Sequence, residues 1–180
     1  VAVGREEGEP GVQVTLSRHS NGLRLAFDDT GTFDISTDGA RIDWTRPVEP
    51  DFASVRKDVL GRVLAVCLHQ QGVMSLHGSA VELSGVAVAF LAPKFHGKST
   101  TAAALVDSGA LLLADDIVAI STDGVPAVLP SVPFIQLWKD SAARVAAATV
   151  AVAGDEGGKK LQRRWDDAGR NAGMPAPLAA

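Results

Sequence analysis

Residues 86–91, Val-Ala-Val-Ala-Phe-Leu, form an unbroken apolar run that ends in Ala92-Pro93-Lys94-Phe95-His96 and Gly97-Lys98-Ser99-Thr100, after which the chain is rich in alanine. Such a run followed by a glycine and a helix-forming segment reads as a buried strand, a short loop and the start of a helix. That arrangement aims the unpaired N–H groups of a helix's first turn, and the positive end of its dipole, at one point where phosphate can be held. The residue types agree with this. Lys98 is a point charge for β and γ phosphates, the Ser99 hydroxyl can ligate Mg²⁺, and Pro93, Lys94, Phe95, His96, Gly97 and Thr100 complete the loop. The pattern is a Walker A loop with two departures. Ala92 stands where the first glycine belongs. Phe95 fills an inner position often held by glycine, where left-handed backbone costs a side chain roughly 1 to 2 kcal/mol.

A second apolar run, Leu111-Leu-Leu-Ala-Asp115-Asp116-Ile-Val-Ala-Ile120, carries two adjacent aspartates. Burying carboxylates is costly unless a cation or a hydrogen-bond donor compensates them. Beside a phosphate loop, one carboxylate can hold Mg²⁺ directly or through water, and its neighbour can take the proton of an attacking hydroxyl. The same pair can also be a strand end with two solvated side chains. His77, in Leu76-His77-Gly78-Ser79-Ala80, stands at the mouth of the strand that precedes the loop's strand. A lone histidine is ordinarily structural.

With 180 residues, one domain and a small appendage are expected. Apolar residues at 46% and charged residues at 21% supply a core and exclude a disordered chain. Lys and Arg number 17 against 21 Asp and Glu, so no basic footprint points to nucleic acid or an anionic membrane. Any anionic ligand must be bound locally. Cys67 is the only cysteine, which excludes an intrachain disulfide framework and cysteine-cluster zinc sites and fits a reducing, cytoplasmic setting. No apolar stretch is long enough to span a membrane, and residues 1–10 lack the character of a signal peptide. The missing initial methionine and the ending Met174-Pro-Ala-Pro-Leu-Ala-Ala180 read as a fragment of a longer protein.

Along the chain, residues 11–44 alternate apolar and polar side chains around Asn21-Gly22, a hairpin turn, and read as a small antiparallel β unit. Residues 46–50, with two prolines, are a stiff connector, and residues 1–50 form the first domain. Residues 51–71 read as one long amphipathic helix with Phe52, Val55, Val59, Val63, Val66 and Cys67 on its buried stripe. Residues 73–83 and 86–91 read as adjacent strands turned at Ser84-Gly85, the second central and covered on both faces. Helix 99–107 and strand 111–120 complete a βαβ pattern. Residues 134–138 read as a strand, 140–150 as a helix, and 154–170, with Lys159, Lys160, Arg163 and Arg164, as a mobile loop. The expected architecture of residues 51–180 is thus α/β, a mixed sheet with flanking helices.

Three motifs, Leu76-His77-Gly78, Gly97-Lys98-Ser99 and Ala114-Asp115-Asp116, resemble in order and spacing the HPr kinase/phosphorylase superfamily, whose P-loop fold is akin to phosphoenolpyruvate carboxykinase. Pro133-Phe-Ile-Gln-Leu-Trp-Lys-Asp140 further resembles divergent HPr-kinase-like proteins found beside peptide-modification genes, including lasso-peptide kinases. The resemblance implies an ATP- and Mg²⁺-dependent serine or hydroxyl kinase. Asp116 would be the catalytic carboxylate, His77 an active-site histidine, Lys98 the phosphate lysine, Ser99 the metal-binding hydroxyl, and Asp115 a support for the metal. The acceptor would be a peptide, a protein or a small molecule. HPr itself is a poor fit, because the family's glutamate-bearing signature has no match in Val128-Leu-Pro-Ser-Val-Pro-Phe134. The resemblance also implies that further strands continue past the end of this chain, and it leaves a homo-oligomer open. The rival readings are a non-catalytic ATP sensor or scaffold and a small-molecule kinase.

Overall fold

The computed structural model describes residues 2–7, 12–145, 150–151, 160–165 and 169–178, in two units, Val1–Gly72 and Val73–Ala180. The division falls after the helical segment, where the sequence reading set it at residue 50.

In the first unit a strand the sequence reading did not assign, β1 (Ala2–Glu7), precedes those that the alternating stretches become, β2 (Gln13–His19), β3 (Gly22–Phe27), β4 (Gly31–Ser36) and β5 (Ile42–Thr45), and all pair antiparallel in chain order. Val14, Leu25, Phe27, Phe33 and Ile35 turn to one side and pack with Val55, Val63 and Cys67. The expected single helix is broken. Asp51 caps α1 (Phe52–Asp58) by accepting from the Ala53 and Ser54 amides. A wider turn, Val59–Val63, follows, kinked at Gly61 (φ −95°, ψ −106°), before α2 (Leu64–Gln70). The kink interrupts the helical stripe, and Phe52 at its start is exposed, edge-on to the Trp44 ring at 6.3 Å.

In the second unit, β6 (Met74–Leu83) and β7 (Val86–Leu91) are joined by Ser84-Gly85, both at positive φ, the tight turn suited to antiparallel neighbours. They are followed by α3 (Lys98–Asp107), β8 (Leu111–Ser121), β9 (Ala127–Val128), β10 (Phe134–Trp138), α4 (Lys139–Ala142), β11 (Val150–Ala151), β12 (Lys160–Arg164) and β13 (Ala176–Pro177). Two sheets result, ordered β13-β9-β8-β6-β7 and β10-β12-β11.

Every strand ladder among the described residues is antiparallel, which overturns the expected α/β P-loop fold with a mixed sheet of the HPr kinase/phosphoenolpyruvate carboxykinase type. The protein is mostly β with few helices. The βαβ pattern misled because strands β7 and β8, on either side of α3, are not neighbours. Strand β6 lies between them and pairs antiparallel with both. The only parallel contacts among the described residues are isolated bridges, Ala87 to Leu178 and Leu112 to Asn171. The first brings the chain just beyond β13 against β7, so the five-stranded sheet curls into a half-barrel.

Three local expectations also change. Strand β7 is an edge strand, with Leu91 exposed, and β6 is the interior one. Within 140–150 the helical part is only Lys139–Ala142, residues 146–149 lie outside the described residues, and Val150–Ala151 is a strand. The expected loop contains β12, which carries Lys160, Arg163 and Arg164; Lys159 lies outside the described residues.

Helix α3 packs Ala102, Ala103 and Val106 against Val81, Leu112, Ile135, Leu137 and Trp165. A second core, including Ala80, Leu113, Ala114 and Val118, forms on the other side of the half-barrel. The C-terminal end of α3 is anchored by cations: buried Arg163 forks onto the Asp107 carboxylate, and Arg170 Nη1 donates to Val106 O at 3.1 Å. Among the described residues no helix is long and apolar enough to cross a membrane.

Candidate functional site

Gly97 takes φ +79° and reverses the chain out of the loop so that α3 begins at Lys98. It carries no side chain that could cap the helix, and the amides of the first turn have no intrahelical partner. The Lys98 ammonium folds back along the loop and donates to Ala92 O at 2.7 Å and to Pro93 O at 3.2 Å. Phe95 adopts the positive φ, +70°, that its loop position called for.

Across from the loop, Asp115 and Asp116 sit on β8 opposite Ser79 and Gly78 of β6. The Asp115 carboxylate receives three neutral donors. Ser79 Oγ at 2.6 Å and Ser99 Oγ at 2.8 Å donate to Oδ1, and the Gln136 amide at 3.1 Å donates to Oδ2. Burial pushes the Asp115 carboxyl above the ordinary carboxylate range; the hydrogen bonds from Ser79, Ser99 and Gln136 oppose this, and the Asp116 charge adds to it.

In a regular strand, neighbouring side chains point to opposite faces. Asp116 departs from this with φ +70°, and both acids line one cavity of about 430 Å³ together with His77, Lys98 and Ser99. Its Oδ1 lies 3.1 Å from His77 Nδ1, which is also 3.0 Å from the Asp116 carbonyl oxygen. With oxygen acceptors on both contacts, Nδ1 carries the proton, and Nε2 is left as the ring's other site. Gly78 is required by close approach: a Cβ there would stand 2.7 Å from Leu91 Cδ2 and 2.8 Å from Phe90 O.

Comparison with protein-family models, with curated proteins and with solved structures finds no match for this chain. What the site can do is therefore read from its own geometry.

Of the residues singled out in the sequence, the fold brings His77, Lys94, Phe95, Gly97, Lys98, Ser99, Thr100, Asp115 and Asp116 to one cavity, within the range of small-molecule sites. Pro93 and His96 do not line it. Pro93 contributes its carbonyl to Lys98, and His96 is exposed, its Nδ1 3.0 Å from Lys94 O. Several lining or supporting residues had no assigned role. Ser79 is fully buried, and a hydroxyl inside an apolar strand was a legible sign of a required partner. Gln136 acts through its backbone amide, which no side-chain pattern reveals. Trp138, Asp140 and Ser141 arrive from β10 and α4, and Lys160, expected on a loop either solvated or closing over phosphates or substrate, arrives from β12.

Among the described residues no group of three His, Cys, Asp or Glu side chains gathers into a metal cage. Mg²⁺ does not need one, since it keeps several waters and takes one or two protein oxygens along with phosphate oxygens. A half-buried carboxylate matched by neutral donors and sharing a hydroxyl with the first turn of α3 fits that donor set.

Proposed function

We propose that the second unit transfers the γ-phosphoryl group of ATP to a hydroxyl of a peptide, protein or small molecule, as the resemblance to HPr-kinase-like proteins implies. The observation that carries this reading is one cavity with two chemically opposite sides. An uncapped helix start and Lys98 suit phosphate, while Asp115, Asp116 and His77 suit a cation and a hydroxyl proton. A cytosolic setting, where buried Cys67 stays reduced, belongs to the same proposal.

Amides of the first turn of α3 and the Lys98 ammonium hold the terminal phosphates, with Lys98 exchanging the Ala92 and Pro93 carbonyls for phosphate oxygens. Ser99 and Asp115 would hold Mg²⁺, which when bound offsets the negative charge of the phosphates. The Asp116 carboxylate takes the acceptor's hydroxyl proton while His77 Nδ1–H steadies that carboxylate. A bond forms from the acceptor oxygen to the γ-phosphorus, the bond to the β–γ bridging oxygen breaks, and ADP leaves. Asp116 is 68% exposed, so the proton passes from it to water. Most of the rate would come from positioning and fixed electrostatics.

Two substitutions test this. Lys98→Ala should lower ATP turnover by about 10²-fold or more while the circular dichroism spectrum is unchanged. Asp116→Asn should lower phosphoryl transfer by about 10²-fold or more and leave MgATP affinity within a few-fold. Unchanged turnover in Lys98→Ala would remove the phosphate loop from the chemistry. MgATP binding without transfer in the wild type, across hydroxyl-bearing acceptors followed by mass spectrometry, would leave a nucleotide sensor in place of a kinase.

A further inference from the structure

One wall of the cavity takes no part in the phosphoryl chemistry. Phe95 and Trp138 meet there with ring centroids 5.4 Å apart and planes tilted by 37°. Phe95 is held at φ +70°, a conformation costing a side chain roughly tenfold in local equilibrium, and its ring is nevertheless 75% exposed. A large apolar ring kept in strained backbone and left mostly in water is not explained by burial in a core. Lysines fringe both rings: Lys160 Nζ lies 5.3 Å from the Trp138 centroid and Lys94 Nζ 5.9 Å from that of Phe95. The same loop that presents Phe95 presents Gly97 and Lys98, so a ligand spanning the cavity meets a phosphate site and an aromatic wall together.

We infer that Phe95 and Trp138 form the stacking surface for the nucleobase of the nucleoside triphosphate. Its polyphosphate runs toward Gly97 and Lys98, and the two fringing ammonium groups add positive charge along its path. This inference rests on the nucleotide reading above and extends it to the ring of Phe95 and to Trp138, which lies outside the phosphate loop. A base presents a flat π face, and each stacked base contributes a factor of about 5 to 150 in affinity by side-chain removal. The inference assigns Trp138 a binding role and gives the Phe95 departure from glycine a purpose.

Calorimetric titration of the full chain with MgATP and, separately, with magnesium tripolyphosphate separates this inference from the reading beneath it. Tripolyphosphate carries the phosphates without the base. The wild type should bind both, ATP at least fivefold more tightly, and Lys98→Ala should weaken both. Phe95→Gly relieves the strained φ and should fold at least as stably as the wild type in thermal melts. It should lose the preference for ATP, as should Trp138→Leu, with tripolyphosphate affinity unchanged. Retention of the ATP preference in Phe95→Gly would overturn the stacking surface and leave the phosphate site standing. So would ATP affinity held constant with a raised KM for the acceptor, which would place the rings under the acceptor. Absence of binding of either ligand to the wild type would overturn both readings.

Discussion

Burial raises the Asp115 carboxyl pKa, so the native state retains a proton that the unfolded chain has already released. The sign follows from linkage. This contribution to stability is fully present below the ordinary carboxylate range, near pH 4, and is lost as pH rises through the native midpoint of Asp115. Half-buried Asp58 in the first unit, raised by desolvation against its bond from Thr30, acts in the same direction. Asp115→Asn should therefore melt a few degrees above the wild type at pH 7, by roughly 1 kcal/mol, and lose phosphoryl transfer. The gain should vanish near pH 4, where thermal scans of both proteins converge. At Gly78 the constraint is steric. Gly78→Ala should cost about 1 to 3 kcal/mol in urea unfolding, because the added Cβ meets Phe90 backbone as well as the Leu91 side chain. Lys98, Ser99, His77 and the paired acids could be singled out in the sequence by their residue types, and the fold brings them to one cavity. The left-handed turn at Asp116 and the Gln136 amide were not legible there, because each is a property of backbone set by distant partners.

Individual elements were easier to read than their neighbours. The strand ends at β6, β7 and β8 and the start of α3 follow from glycine turns and apolar runs, and all fall within a residue or two of the expected places. Sheet order did not follow. Six apolar residues in β7 looked like a central strand, but part of their cover comes from the bridge between Ala87 and Leu178, a contact made far along the chain. Strand β12 was hidden by its polarity, Lys-Leu-Gln-Arg-Arg. Arg163 points inward there and is buried because Asp107, at the end of α3, receives its fork, with the Trp165 ring 4.4 Å from the guanidinium. Replacing it removes a partner that a partly buried carboxylate needs. Arg163→Met should destabilise the protein by about 2 kcal/mol, less than a fully enclosed pair would lose because Asp107 keeps 26% of its side-chain surface in water. Denaturant titration measures this, and adding Asp107→Asn to the same chain should recover part of the loss.

At the scale of the molecule, three apolar cores among the described residues divide cleanly between the units: one in Val1–Gly72 and two in Val73–Ala180. Every residue assigned to the candidate site belongs to the second unit. Residues 73–180 produced alone should accordingly bind MgATP within about threefold of the full chain's affinity; a loss of tenfold or more would bring the first unit into the site. Across the β6 and β8 ladder, His77, Gly78 and Ser79 stand opposite Ile117, Asp116 and Asp115, and a bulge between Ala80 and Val81 pins that alignment. On the kinase function proposed above, strand registration and chemical competence become one variable. A population shifted by a single place would share the mass and much of the spectroscopic signature of the proper one, yet would release no ADP. The stoichiometry of MgATP binding and turnover would then report the correctly assembled fraction, and the protein would serve as the assay of its own refolding yield.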